Sequence, residues 1–341
     1  MVSKRSLPFL ITERLEFSQL RQEDLNALKI LLGDPEIMYA WEHGFTEAEV
    51  QAWLNENIRR YGCEGYSYWA VRLKNTGSLI GVMGILKEWV EGKEYTGIGY
   101  ILHKHYWQQG YACEGSAALC QYAFHKLQLP VLTAQIRTNN FASQHVAARL
   151  GMQAANKFMK VYRGQEMPHF LYVLQRESWL QSGSDSTVLQ LITSAKKRFL
   201  QLLLLGDEDE KMLDKYLERG DMFALYQGDL KATVVVTQEK SDVFEIKNVA
   251  VWPQCQRCGY GRFLVTEMCR LYSRWGARML VGTGDVREAL SFYESCGFTR
   301  SYVLKNFFTD NYSQPIFENG ILLKDMVYLE RALKKESIQE M

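Results

Sequence analysis

Alternating hydrophobic and polar positions predict a pair of strands in each half of the chain. In both halves two short apolar or alternating runs flank a turn that contains glycine, at 75–77 and at 227–229. This arrangement is typical of a β-hairpin. The predicted strands lie at 69–73, 79–83, 222–226 and 233–236.

A further strand, a glycine-containing loop and a helix follow each hairpin. The first half has a predicted strand at 99–102 and a helix from Gly110 through Phe124. The second half has a strand at 244–251, a loop around Gly259, a helix from Phe263 towards Trp275, a strand at 279–281 and a helix at 286–295. Strands and helices mixed in this order predict an α/β (α+β) architecture in each half.

A run of small and polar residues at 181–186 has the composition of a linker. It divides the chain into predicted domains 1–180 and 187–341. Two domains are also what 341 residues lead us to expect at ~150 residues per domain.

The two halves look related to each other. Gly110 and Gly151 of the first half recur as Gly259 and Gly297, 149 and 146 residues later, in similar local sequences. A period of this length indicates a duplicated domain, because the repeats of a solenoid are much shorter.

Composition and charge exclude several classes of protein. The chain has 40 Lys and Arg against 39 Asp and Glu, so it lacks the basic surplus that binding to nucleic acid requires. No apolar run approaches the ~20 residues of a transmembrane helix, and the N-terminus has no secretory signal. Seven cysteines, an odd number, do not suggest a disulfide framework. We therefore expect a cytoplasmic protein without membrane or nucleic-acid partners.

The loop at 256–261 carries the clearest chemical signal. Glycine lets the backbone turn sharply and lets a ligand approach closely, and the following helix offers free N–H groups to a pyrophosphate. A tight structural turn is the alternative reading. The P-loop and the dinucleotide fingerprint are both excluded, since the loop lacks the Gly-Lys-Ser/Thr ending and the third glycine.

These residues resemble the GNAT superfamily of acetyl-CoA-dependent N-acetyltransferases. Residues 256–261 match its [RQ]-x-x-G-x-[GA] signature, and 289–298 resemble its A-x-x-F-Y-x-x-x-G-F helix and turn. The first half resembles another branch, the ribosomal-protein N-terminal acetyltransferases, in segments at 10–15, 99–100, 106–114, 140–143 and 150–152. The resemblance implies two GNAT-like domains in tandem, each a mixed, mostly antiparallel sheet flanked by helices, with splayed central strands.

The resemblance also implies a site in the second half. Glu245 takes the position of the base and Tyr293 that of the acid which protonates the leaving thiolate. The residues implied to hold acetyl-CoA are Val249, Ala250, Val251, Gln256, Arg257, Cys258, Gly259, Tyr260 and Gly261. One departure is Asp285-Val286, which stands where the family has Asn at the helix start.

The first half matches its branch less completely. Gly97 stands where the branch often has Glu, and Ala147 stands at the register of Tyr293, so we expect this half to bind ligand with little turnover. Ser143 is a candidate proton donor or a coenzyme A contact. The residues implied to bind the cosubstrate are Ile101, Leu102, Gln108, Gln109, Gly110, Tyr111, Ala112 and Asn140.

The leading hypothesis is acetyl transfer from acetyl-CoA to an amine acceptor, with the second half as the likelier catalyst. The alternative is a coenzyme A-binding regulator or scaffold with degenerate sites. Cys255 and Cys258 have no second metal-binding pair in the sequence, so we expect no metal. The acceptor and the oligomeric state stay open.

Overall fold

The chain divides into two units, Met1–Leu189 and Gln190–Met341. The computed structural model describes residues 6–182 and 186–334. Of the predicted linker at 181–186, residues 183–185 lie outside the described residues. Among the described residues, no helix is long and apolar enough to cross a membrane.

The first unit is built on a mixed sheet with strand order β1-β2-β3-β4-β5-β6-β8-β7. Its one parallel pair in the described part is β5 with β6, and the other neighbours are antiparallel. The strands are β1 Leu10–Ile11, β2 Leu15–Gln19, β3 Tyr68–Leu73, β4 Leu79–Val90, β5 Lys93–Leu102, β6 Val131–Arg137, β7 Gln153–Tyr162 and β8 Gln165–Gln175. The helices are α1 Leu25–Gly33, α2 Glu47–Cys63, α3 Tyr111–His125, α4 Phe141–Arg149 and α5 Arg176–Ser182.

Helices cover both faces of this sheet. Since successive side chains of a strand point to opposite faces, Val82 packs with α1 and α2 in one core cluster, and Met83 packs with α3 in another. Helix α2 begins at a Thr46–Glu49 capping box, in which the Thr46 side chain accepts from the Glu49 amide and the Glu49 carboxylate accepts from the Thr46 amide.

The second unit repeats this plan, with strand order β9-β10-β11-β12-β13-β17-β14, in which the first three residues of β9 precede the unit boundary. Strands β12 and β13 are parallel, whereas β10–β11–β12 and β13–β17–β14 pair antiparallel. The strands are β9 Thr187–Ile192, β10 Asp221–Gln227, β11 Asp229–Lys240, β12 Val243–Val251, β13 Arg278–Gly284, β14 Thr299–Leu304, β15 Phe317–Glu318, β16 Ile321–Leu322 and β17 Met326–Ala332, of which β15 and β16 form a separate ribbon. The helices are α6 Leu200–Leu203, α7 Glu210–Asp214, α8 Tyr260–Tyr272, α9 Arg287–Ser295 and α10 Phe307–Asn311.

The parallel strands of each unit separate partway along their length. In the second unit β12 and β13 pair only as far as Ile246 and Val281, although the strands continue to Val251 and Gly284. In the first unit β5 and β6 pair only at Gly97 and Thr133. The mixed sheets flanked by helices and the splayed central strands confirm the predicted fold class.

Several elements are longer than predicted. Strand β4 extends from Leu79 to Val90 instead of ending at 83, and β5 begins at Lys93 instead of 99. Beyond residue 85 the hairpin is less buried. Its sequence there no longer shows the hydrophobic pattern from which the strands were predicted. Helix α8 begins at Tyr260, three residues before the predicted Phe263, because Gly259 adopts the left-handed conformation at its N-cap.

Candidate active sites

The loop before α8 has the geometry of an anion site. Arg257 and Gly259 both have positive φ, 63° and 90°, and Gly259 caps a helix of 13 residues. The first amides of an α-helix have no acceptor within the helix, and the dipole places positive charge there. A phosphate bound at the start of α8 would therefore meet free N–H groups.

The first unit contains the same loop geometry. Gln108 and Gly110 have φ of 60° and 84°, and Gly110 caps α3, which has 15 residues. The repetition of two positive φ values, two residues apart, extends the predicted sequence repeat to the backbone conformation.

A carboxylate on α3 ties this loop to the start of the sheet. Glu114 accepts hydrogen bonds from the Thr12 hydroxyl (2.6 Å), the Arg14 amide (2.8 Å) and the Arg14 Nε (2.6 Å). Arg14 also donates to the Gln109 carbonyl at 2.9 Å and lies over the Tyr111 ring. The Arg14–Glu114 pair thus holds both the loop and the first turn of α3.

In the second unit a cleft opens where β12 and β13 separate. Most of the predicted residues line it, namely Val249, Val251, Gln256, Arg257, Gly259, Tyr260, Gly261 and Tyr293. Ala250, Cys258 and Glu245 are not part of the lining. Ala250 is buried in the sheet because it alternates with Val249 and Val251, and Cys258 is exposed next to Gly259.

Tyr293 forms part of the wall of the second-unit cleft. Its ring packs edge-to-face against Phe292 and Phe298. Burial raises the pKa of its hydroxyl, and Cys296 and Glu318 add to the shift. The phenol therefore holds its proton at neutral pH.

Glu245 lies beside the cleft, on the last paired stretch of β12. Its side chain is buried, forms an ion pair with Lys247 at 2.8 Å and accepts from the Tyr328 hydroxyl at 3.0 Å. Burial and the neighbouring Glu245 charge raise the pKa of Tyr328. Lys247 itself lines the cleft and occupies a β-bulge between β11 and β12, so the pair reaches from the sheet to the cleft surface.

Two further carboxylates in this cleft were missed by the sequence analysis. Asp207 accepts from the hydroxyls of Tyr216 and Tyr312, at 3.2 and 3.1 Å, and burial raises its pKa. Burial also raises the pKa of Glu318, with contributions from Glu288 and Glu208. The signal for Asp207 was its place one intervening residue beyond the apolar run at 202–205, whose first part lies in the short helix α6.

The first unit has two adjoining pockets. One contains the predicted residues Ile101, Leu102, Gln108, Gly110, Tyr111, Ala112, Asn140 and Ser143, and the other lies deeper, towards Glu88 and Tyr68. The two share Ala40, Trp41, Tyr100, Asn140, Ser143 and Val146. Gln109 lies outside both, since its carbonyl accepts from Arg14 and its amide donates to the His105 carbonyl.

Ser143 and Asn140 meet at the junction of these pockets. Asn140 caps α4 by accepting from the Ser143 amide at 3.0 Å, and it also accepts from the Tyr39 hydroxyl at 2.8 Å. Tyr100 lies next to Ser143. Burial raises the pKa of Tyr100 to about 12, against a lowering contribution from Ser143. Tyr100 is a further residue that the sequence analysis did not single out, although it lies in the Gly-Tyr segment at 99–100.

The described residues contain no group of three His, Cys, Asp or Glu side chains that could hold a metal ion. Cys255 and Cys258 are both free thiols.

Comparison with known proteins agrees with the geometry of both units. Two family models described as acetyltransferase (GNAT) domain match the chain, one at residues 14–153 and the other at 218–300. The chain is 35% identical to the uncharacterized N-acetyltransferase YvbK of Bacillus subtilis over 144 residues, which cover 41% of this chain and 93% of that protein.

Two further relatives match at comparable lengths. The uncharacterized protein YkkB of Bacillus subtilis is 30% identical over 152 residues, covering 44% of this chain and 88% of the relative. The FsC-acetyl coenzyme A-N(2)-transacetylase of Aspergillus fumigatus is 29% identical over 217 residues, covering 59% of this chain and 91% of the relative. The chain therefore belongs to the GNAT acetyltransferase family and carries two domains of that family.

Proposed function

We propose that this chain transfers the acetyl group of acetyl-CoA to the nitrogen of an amine, and that its second unit is a catalyst. The observation that carries the proposal is the separation of β12 from β13 beside the loop at 256–261. The separation leaves the backbone groups at the end of β12 unpaired on the β13 side, next to an anion-binding helix start.

Both parts of that cleft fit coenzyme A. The loop amides and the α8 dipole suit the pyrophosphate, and the backbone of Val249 and Val251, which β13 does not pair, suits the amides of the pantetheine arm. The Val251 carbonyl accepts from the Gln256 side-chain amide at 3.4 Å. No Cβ would clash at Gly259, where the space above the backbone is open. When bound, acetyl-CoA supplies the activated thioester.

The remaining steps are proton transfers that this chain's residues can perform. Tyr293 keeps its proton at neutral pH and can give it to a departing sulfur. Glu245 is a carboxylate at the edge of the cleft and can take a proton from the attacking amine, directly or through water. Lys247 holds that carboxylate in place.

The relatives are compatible with this assignment. The name of the Aspergillus fumigatus relative describes a transacetylase that uses acetyl-coenzyme A and modifies a nitrogen. The closer affiliation of the first unit with ribosomal-protein acetyltransferases stays a prediction, as does the identity of the acceptor amine.

Tyr293→Phe tests the proposed acid. For at least one amine of the panel we expect kcat to fall by about 100-fold, because a positioned acid contributes that much or more, while the Kd for acetyl-CoA stays within about twofold. Thiol release over a panel of amines measures kcat, and calorimetry measures Kd. The matched control is Tyr302→Phe, since Tyr302 is exposed on β14 and lies outside the cleft lining.

The same measurements separate an enzyme from a coenzyme A-binding regulator. Tight binding of acetyl-CoA without thiol release for any amine would identify the regulator. Equal turnover of Tyr293→Phe and the unmodified chain with every amine that is acetylated would remove Tyr293 from the mechanism.

A further inference from the structure

Two glycines of β5 leave room for side chains from neighbouring strands. A Cβ on Gly97 would meet the Glu88 carboxylate, which reaches across from β4, and a Cβ on Gly99 would lie 2.6 Å from the Tyr68 hydroxyl. Residues 97 and 99 face the same side of the strand. The space that a side chain at 97 would occupy is therefore filled by the carboxylate of Glu88.

The carboxylate of Glu88 lies in the deeper pocket of the first unit. In the described part of the chain it accepts a hydrogen bond from one side chain, the Gln135 amide at 3.0 Å. Lys160 donates in turn to the Gln135 carbonyl oxygen at 2.9 Å, so the amide is held between an ammonium and a carboxylate. The pocket places Glu88 on the same lining as Tyr100 and Ser143.

Burial dominates the electrostatics of this carboxylate. It raises the pKa of Glu88, against lowering contributions from Lys160, Gln135 and Arg60. Tyr68 faces it as a neutral phenol, because burial and the Glu88 charge raise the pKa of Tyr68. The other titratable groups of the pocket are Arg137, which pairs with Glu42, Tyr162, whose pKa is raised by burial, and His169, whose pKa burial lowers.

We infer that the first unit is a second acetyl-transfer site, in which Glu88 supplies the carboxylate missing at position 97. The inference rests on the proposed function. It replaces the expectation, drawn from Gly97, that this unit binds ligand with little turnover.

The reaction is balanced by two proton movements. The amine nitrogen attacks the thioester carbonyl carbon, the C–N bond forms, and the C–S bond breaks with its electron pair on sulfur. Glu88 takes the proton that nitrogen loses and passes it to solvent. The thiolate receives a proton from Tyr100, which recovers one from solvent, so that an amine and acetyl-CoA give an amide and the free thiol.

Glu88→Gln is the direct test, because it keeps the shape of the side chain and removes the charge. Thiol release is measured on the full chain between pH 6 and 10, with an amino acid, spermidine, a tripeptide and an aminoglycoside as probe amines. For at least one probe we expect kcat at pH 7 to fall by about 100-fold, with little change in KM for acetyl-CoA. The deficit shrinks towards pH 10, where the amine is already neutral. A purely structural role would give a deficit that does not depend on pH.

Two further variants keep the test decisive. Glu94→Gln removes an exposed carboxylate from the same hairpin and should leave the profile unchanged. Gly97→Ala should displace the flexible end of Glu88 and reproduce part of the defect while the chain stays folded.

The outcomes separate the two proposals. If Glu88→Gln matches the unmodified chain with every amine that is acetylated, the inference is wrong and the proposed function stands. If the unmodified chain releases no thiol with any probe, both are wrong.

Discussion

At the scale of single residues, the contrast between Gly97 and Glu88 shows where sequence reasoning reached its limit. The motif comparison notes only that Gly97 stands where the branch often has Glu. It could not identify Glu88 as the proposed replacement, because Glu88 is nine positions earlier and approaches only through the pairing of Leu86 with Gly97. The predicted hairpin ended at 83, so that pairing lay beyond it.

The raised pKa of Glu88 has a consequence for stability that does not involve turnover. A carboxyl group whose pKa is higher in the folded than in the unfolded state stabilises the fold fully below the unfolded pKa. That contribution is lost as the pH rises through the folded pKa. Once ionised, above its folded pKa, Glu88 therefore destabilises the chain relative to a neutral side chain of the same shape.

We predict that Glu88→Gln raises the Tm by about 2 °C or more at pH 8, and that the gain disappears at pH 4. Thermal unfolding at both pH values measures this, with Glu94→Gln as the control. A lower Tm at pH 8 would show that the negative charge of Glu88 stabilises the fold.

At the scale of elements, the loops before α3 and α8 were predictable because glycine spacing and motif agree. The exact residues at which these two helices begin depend on a left-handed backbone conformation. The hydrophobic pattern of the sequence does not indicate that conformation. The structure also separates the roles of two glycines that the motif treats alike. Gly259 needs its positive φ, whereas a Cβ on Gly261 would make ordinary contact with the Phe292 ring at 3.4 Å.

Substitution of these two glycines should therefore have different effects. Gly259→Ala is expected to lower the free energy of unfolding by about 1–2 kcal/mol, the cost of a left-handed residue with a Cβ.

Gly261→Glu should leave stability nearly unchanged and weaken acetyl-CoA binding in the second unit by about tenfold or more, through steric and charge repulsion of the pyrophosphate. Denaturant unfolding and calorimetry on both variants check this, and an unchanged binding isotherm for Gly261→Glu would argue against a pyrophosphate at this loop.

The Arg14–Glu114 pair gives a prediction for the first unit. Glu114→Ala leaves the Thr12 hydroxyl and the Arg14 amide without their acceptor, which should cost about 1–3 kcal/mol of stability. The loop carbonyl of Gln109 also loses a well-positioned Arg14, so acetyl-CoA binding in this unit should weaken. The comparison variant is Glu56→Ala, which removes a surface pair worth about 1 kcal/mol or less. If the two variants had similar stability, the Glu114 cluster would contribute no more to stability than an ordinary surface contact.

At the scale of the whole molecule, the repeat of about one domain length predicted two related units, and both have the same sheet plan and loop backbone. The chemistry of the two clefts was less accessible from sequence. Glu88 and Asp207 enter their clefts from strands and loops outside the motif segments. Tertiary packing determines which carboxylates lie near the splayed strands. Local sequence patterns contain little information on this packing.

The free thiol of Cys258 makes one of these two similar units chemically distinguishable from the other. It is exposed beside Gly259 in the loop, whereas the equivalent residue before Gly110 is Gln109, which cannot be alkylated by iodoacetamide. We predict that saturating acetyl-CoA slows iodoacetamide labelling of Cys258 and leaves the labelling rate of Cys63, an exposed thiol at the end of α2, unchanged. Peptide mass mapping over a time course measures both rates, and equal rates at Cys258 with and without acetyl-CoA would contradict the prediction. Alkylation of this one sulfur atom would thus report occupancy of the second unit alone, whereas calorimetry on the full chain would add the heat of any binding in the first unit.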